Sequence, residues 1–206
     1  MKRIFKGLLL IVAVLSLSTA CFKRDDMENI TIYTTVYPIT YIINSLYGNY
    51  STINSIYPND IDVNNYEFTD KQLNDFANGS LFIYNGLSNE KDIARKLINK
   101  NKKLKIIDVS YGLKLYNSDD NPAELWMSPN NYLMLATTVK NNLVDFISNN
   151  YIKDEIEKNY KDIQEKISII DADLRSIGSA SKEKGKNTLI VSSDMFKYLE
   201  NYGFNV

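Results

Sequence analysis

Histidine is absent from this 206-residue chain, and cysteine occurs once, at Cys21. Without histidine there is no Ser-His-Asp or Cys-His nucleophile, no imidazole general base and no imidazole metal ligand. A single cysteine excludes an intrachain disulfide, a CxxC motif and a thiolate zinc cage. Charge of one sign is lacking as well. The 24 basic and 25 acidic residues leave a net charge of −1, which gives no case for a phosphate-tracking nucleic-acid binder. No carboxylate pair stands out at a spacing tied to a motif, so the chain does not read as an enzyme.

What is present is a folding composition, 44% hydrophobic and 24% charged, long enough for one domain or for one and part of another. Residues 1–20 read as a signal peptide. Lys2, Arg3 and Lys6 form a basic start, and Leu8 to Leu15 is an apolar run shorter than the ~20 residues a spanning helix needs. Leu17-Ser18-Thr19-Ala20-Cys21 then resembles a bacterial lipobox. That likeness implies that Cys21 is lipidated, with acyl chains such as palmitate, and becomes the mature N-terminus. The alternative is an uncleaved anchor with a chance cysteine.

Residues 21–29 read as a charged tether. Beyond them strands and helices alternate. Ile30 to Thr35 is β-branched and aromatic, and so reads as a strand. Pro38 stands at a helix start, Ile39, Ile42, Ile43 and Leu46 share one helical face, and Gly48 stops the helix. Thr52 to Tyr57 is a second strand, followed by a polar loop from Pro58 to Phe68. Thr69 is a candidate N-cap for a short helix ending at Gly79. Leu81 to Tyr84 reads as a buried strand, Ile93, Leu97 and Ile98 mark a helix, and Leu104 to Val109 is a fourth strand. This rhythm predicts an α/β lobe over 30–150, a parallel sheet with covering helices.

Ser128-Pro129 reads as N-cap and first helical residue, with Leu135, Val139, Leu143 and Phe146 at helical spacing. The strongest periodicity follows. Ile152, Ile156, Tyr160, Ile163, Ile167, Ile170, Leu174 and Ile177 predict a linking helix over 151–178, closed by Gly178, in which the stretch from Ile152 to Ile177 alone spans roughly 39 Å. Its heptad-like step is compatible with a coiled coil, but packing on the chain's own core is the preferred reading. Thr188 to Ser192 reads as a strand and Phe196 to Tyr202 as a short helix with Asp194 as its N-cap. Residues 187–206 are therefore expected to begin a second α/β lobe that is incomplete here.

Five segments in order carry a family likeness: Thr34-Thr35-Val36-Tyr37-Pro38, Asn64-Asn65-Tyr66-Glu67-Phe68-Thr69, Leu81-Phe82-Ile83-Tyr84-Asn85-Gly86-Leu87, Glu124-Leu125-Trp126-Met127-Ser128-Pro129 and Val191-Ser192-Ser193-Asp194-Met195-Phe196. Together they resemble the zinc/manganese substrate-binding lipoproteins of ABC importers. The resemblance implies two α/β lobes joined by one long helix, with a transported divalent metal ion held between them. It also implies an importer permease as partner and a lipid-anchored place on the extracytoplasmic face of the cell membrane. The positions that carry histidine ligands in that family are Asn64, Glu124 and Ser193 here. The usual proline of the first loop is Phe68, and the histidine-rich loop of zinc members would fall near Tyr116 to Asn121, which has none.

An amide, a carboxylate and a hydroxyl form a hard oxygen set, suited to a weakly held hard cation or an organic solute rather than to zinc. The alternative is that the three are ordinary polar cleft residues of an altered or lost site. Two further readings stay open: an adhesive or structural surface lipoprotein on the same fold, and a truncated fragment without function of its own. Glu67 is expected to be a loop hydrogen-bonder, and Trp126 to pack in the core or an interface.

Overall fold

A computed structural model describes residues 25–63, 65–113 and 124–206. The expected signal peptide, Cys21, Asn64 and the segment where the family's histidine-rich loop would fall lie outside the described residues. Four parallel strands, β1 (Ile30–Thr34), β2 (Ser51–Ser55), β3 (Leu81–Tyr84) and β4 (Lys105–Asp108), pair in the order β2-β1-β3-β4. Ile30 opposes Ser51, Ile32 opposes Leu81, and Leu81 opposes Lys105.

Between the strands run α1 (Tyr37–Tyr47), α2 (Asp70–Ala77) and α3 (Glu90–Lys100). After β4 come the short α4 (Glu124–Met127), then α5 (Pro129–Phe146), α6 (Asn150–Glu183) and a 3-10 helix over Asp194–Tyr202. Alternation along β3 explains the layers. Leu81 and Ile83 face one core with Ile39, Ile42, Leu135, Val139 and Ile156, so α1, α5 and α6 cover that face. Phe82 and Tyr84 face the other core with Leu73, Ala77, Ala94 and Leu97 of α2 and α3. The α/β lobe expected from the sequence is the observed architecture.

Local chemistry sets the element ends. Thr69 caps α2: its hydroxyl accepts from the Gln72 amide at 3.3 Å while the Gln72 side chain accepts from the Thr69 amide at 2.9 Å. This reciprocal pair satisfies two orphan amides of the first turn. Gly48 ends α1, as expected.

Four expectations need correction. The stretch 25–29 is not a loose tether, because Met27 is buried in the main core and Asp25 is 5% exposed. Gly178 does not close the long helix, which continues to Glu183. Its first part packs on the chain's own core through Ile152, Ile156 and Ile163, whereas Ile170 and Ile177 are about half exposed. The strand expected at Thr188 to Ser192 is a single parallel bridge, Thr188 to Asn205. The loop from Pro58 to Phe68 is not merely polar. Ile61, Val63, Tyr66 and Phe68 pack against the second core.

Candidate functional site

The sheet order dictates where a ligand would bind. The strand neighbours β1 and β3 send their following helices to opposite faces, α1 to one and α3 to the other. In open parallel sheets the crevice forms at the carboxyl ends of such a pair. Thr35 follows β1 there and Asn85 follows β3, and both are almost fully buried.

Glu90, in the first turn of α3, points into the same place and is 5% exposed. Its carboxylate accepts from the Asn85 amide at 2.8 Å. Burial pushes the Glu90 carboxyl up to about 7. The Asn85 hydrogen bond and the nearby Thr35 hydroxyl act against that rise, and Asp108 adds to it. Among the described residues Thr35 Oγ1 is close enough to lower Glu90 yet makes no hydrogen bond of good geometry, and Asn85 Nδ2 likewise finds no partner there. Two buried polar atoms are thus left unsatisfied beside a carboxyl that titrates near neutrality, which is costly unless function or a small ligand compensates.

Asp108, at the end of β4, closes the same edge. Its Oδ1 accepts from the amides of Gly86 at 2.8 Å and Ser110 at 3.0 Å and from the Ser110 hydroxyl at 2.6 Å. A Cβ at position 86 would lie 1.9 Å from Asp108 Oδ2, so any larger residue here would have to push the Asp108 carboxylate aside.

The three substituted positions lie on three different segments of the chain. Asn64 lies outside the described residues, between Val63 and Asn65. The turn around it is closed by the Asn65 amide on the Asp62 carbonyl at 3.2 Å and by Asn65 Nδ2 on Asp62 Oδ2 at 2.6 Å. Glu124 is the first residue of α4, which is held by the fully buried Leu125 and by Trp126 against the main core. Ser193 caps the 3-10 helix, its hydroxyl accepting from the Met195 amide at 3.3 Å. Asp194, expected to be that cap, is instead the first helical residue and pairs with Lys197 at 3.2 Å. The helix begun by Glu124 packs against the helix capped by Ser193. Among the described residues no group of three or more His, Cys, Asp or Glu could hold a metal ion.

A cleft of about 660 Å³ opens between the start of α5, the middle of α6 and the 3-10 helix. Its charged wall is internally paired. Asp171 accepts from Arg175 Nε at 2.8 Å and from the Tyr202 hydroxyl at 2.7 Å, and the guanidinium lies 5.3 Å from the Tyr202 ring centre. Arg175 first, and Tyr202 with it, hold the Asp171 carboxyl below its usual range.

The sequence offered no sign of two features. Glu90 sits at an ordinary first-turn acidic position, and only the fold buries it. Tyr57, Tyr66, Phe68 and Phe76 form one ring cluster, with Phe68 edge-on to Tyr66 at 4.9 Å and to Phe76 at 5.6 Å. Phe68 therefore has a packing role at the position where the family usually has proline. Glu67, expected to hydrogen-bond within the loop, stays exposed on the wall of a smaller groove of about 370 Å³.

An open parallel sheet, helices on both faces and one long helix running past the core define an open α/β lobe. The chain belongs to the family described as ZnuA, zinc-uptake complex component A, periplasmic, whose model matches residues 32–206. Three solved structures show the same fold. The metal-dependent lipoprotein YcdH from Bacillus subtilis is 19% identical with a TM-score of 0.74, and the match covers 86% of this chain and 65% of that one. The Zn(II)-bound ZnuA-like domain of Streptococcus pneumoniae AdcA is 21% identical with a TM-score of 0.73, covering 86% and 65%. A metal-free periplasmic metal binding protein from candidatus liberibacter asiaticus, in mutant form, is 22% identical with a TM-score of 0.70, covering 86% and 67%. The chain spans about two thirds of the length of each.

Proposed function

We propose that this chain is the solute-binding component of a metal-type ABC importer, anchored through lipidated Cys21 on the extracytoplasmic membrane face, with an altered metal site. The observation that carries this reading is the family match over residues 32–206, in a chain whose three ligand positions hold Asn64, Glu124 and Ser193. The importer permease is its partner, and the transported solute is a hard cation or a small polar molecule rather than zinc. Structural zinc sites draw roughly 10–16 kcal/mol of apparent binding free energy from thiolate and imidazole donors. An amide, one carboxylate and a hydroxyl already used as a helix cap cannot supply that.

Calorimetry on the chain from Cys21 onward tests the reading. Zinc should bind no tighter than the micromolar range, and Asn64→His with Glu124→His and Ser193→His should raise the affinity at least tenfold. Nanomolar zinc binding by the unaltered chain would remove the altered-site reading. No gain in the triple variant would remove the assignment of these positions.

A further inference from the structure

Glu90 stands where all four strands end. Thr35 follows β1 and Asn85 follows β3, and they reach its carboxyl through a hydroxyl and a backbone amide. Asp108 closes β4, and Tyr57, two residues beyond β2, is near enough to feel a charge on Glu90. The Asn85–Ser88 turn, which links β3 to α3, is held by two carboxyl groups. Glu90 Oε2 accepts from the Asn85 amide and Asp108 Oδ1 from the next amide, that of Gly86, each at 2.8 Å. The other hydrogen bonds of the turn run between residues 85 and 91. The Leu87 amide donates to Asn85 Oδ1 at 3.0 Å, the Ser88 hydroxyl donates to the Asn85 carbonyl at 2.9 Å, and the Glu90 amide donates to the Ser88 hydroxyl at 3.2 Å. Asp108 thus fastens the turn to β4, and Glu90 ties its first amide to the helix that follows.

The two carboxyl groups accept from consecutive amides, so they are neighbours, and Asp108 opposes a charge on Glu90. Among the described residues no lysine or arginine pairs with Glu90. Tyr57 faces Glu90 and Tyr84 faces Asp108. Burial first, and then the neighbouring carboxyl, raises both hydroxyls, so both keep their protons at neutral pH. On the helix of Glu90 itself, Lys91 and Asp92 are exposed to water. A buried carboxylate with a like charge beside it and no cation is unfavourable. A protonated carboxyl in the same place avoids that cost and still accepts from the Asn85 amide.

We propose that Glu90 is a proton-operated latch of the carboxyl edge, which seats the Asn85–Ser88 turn between α3 and Asp108 while it holds its proton and releases the turn on giving the proton to water. Release hydrates the carboxylate and widens the crevice between β1 and β3. The sign follows from linkage. With the turn seated, Glu90 keeps its proton up to about pH 7, whereas with the turn released it ionises in the ordinary carboxylate range. The released state therefore gains about tenfold in population for each pH unit between roughly 5 and 7 and levels off above that. Leu87, at the tip of the turn, is already 40% exposed, so the opening uncovers little apolar surface. The inference takes from the proposed function only that this edge receives solute, and its test needs no solute.

Amide exchange followed by NMR tests the latch. Rates at Asn85, Gly86 and Leu87, divided by their intrinsic values, give the protection of the turn at each pH. It should fall about tenfold per unit from roughly pH 5 to 7 and then level off. Low denaturant should leave these rates unchanged while it speeds exchange in β3, which marks the opening of the turn as local. In Glu90→Gln the side chain cannot ionise, and the protection of the turn should be the same at every pH. Flat protection in the parent protein, an equal fall in Glu90→Gln, or a denaturant response matching that of β3 would overturn the proposal. Should Glu90→Gln fail to fold, the isotope-labelled carboxyl signals of the parent protein decide. The Glu90 carboxyl carbon and the Gly86 amide should titrate together near neutrality, and a Glu90 midpoint in the ordinary carboxylate range would overturn the latch. Zinc affinity does not enter any of these readouts, so the latch and the solute assignment stand or fall separately.

Discussion

Gly178 and Tyr202 touch backbone to backbone. A Cβ on residue 178 would stand 1.8 Å from the Tyr202 carbonyl oxygen, closer than any real contact. The long helix passes through this glycine unbroken, so the residue is there for close approach and not as a helix stop. Gly178→Ala should cost about 1–3 kcal/mol of overpacking at this contact, against at most ~1 kcal/mol regained in helix propensity. Hydrogen exchange should show residues 187–206 released while Ile152 to Ile163 stays protected. Unchanged exchange in 187–206 would mean that another contact holds the segment.

Glu90 makes stability depend on pH near neutrality. Burial raises its folded pKa to about 7, above the ordinary carboxylate value. A raised folded pKa means the folded state favours the proton. The contribution is therefore full below pH ~4 and is lost as pH rises through about 7. The loss is on the order of 3 kcal/mol. Glu90→Gln keeps an acceptor for the Asn85 amide and cannot ionise, so its denaturation midpoint should stay flat between pH 5 and 8 while that of the parent chain falls. Parallel profiles for the two proteins would rule out titration of Glu90.

Asp25 carries the opposite sign. Burial pushes its carboxyl up, but the hydrogen bonds from Met27, Ser148 and Asn149 together outweigh that and leave it lowered. Its contribution is present above the ordinary carboxylate range and is lost as pH falls below about 4. Asp25→Ala strips the acceptor from three amides and should cost about 2–4 kcal/mol. It should also free the chain ahead of Ile30 to proteolysis. A protease-resistant Asp25→Ala protein of unchanged stability would show that these hydrogen bonds contribute nothing.

The last segment is held unevenly. Tyr198 and Tyr202 are buried, yet Ile190 is fully exposed, and the stretch before the 3-10 helix is secured near its start only, where the Leu189 amide donates to the Asn205 carbonyl, the Asn205 amide to the Asn187 carbonyl and Asn187 Nδ2 to the Gly203 carbonyl, each at 2.8 Å. Amides of 190–192 should exchange within seconds, whereas those of β3, paired on both sides, should persist for hours. Equal protection in the two stretches would contradict this arrangement.

Periodicity and capping chemistry are properties of neighbouring residues, and they read out directly. Leu81 to Tyr84 is a strand with the expected bounds, Thr69 caps its helix, and the Ile152-to-Ile163 stripe lies on the core. The family itself was likewise legible, because its likeness is carried by short local motifs. What a residue meets across the fold was not. The order β2-β1-β3-β4, and so the crevice between β1 and β3, depends on pairings between distant segments. Asp25 looked like part of a tether because its partners stand 123 and 124 positions away. Gly178 looked like a helix end because a carbonyl arriving from Tyr202 leaves no trace in the residues beside it. Glu90 carries no local sign of its burial, which comes from two strand ends that close over it. Local sequence determines which stretches can become strands and helices. Burial, close approach and pKa depend on what long-range packing places next to each group, and only the assembled lobe decides that.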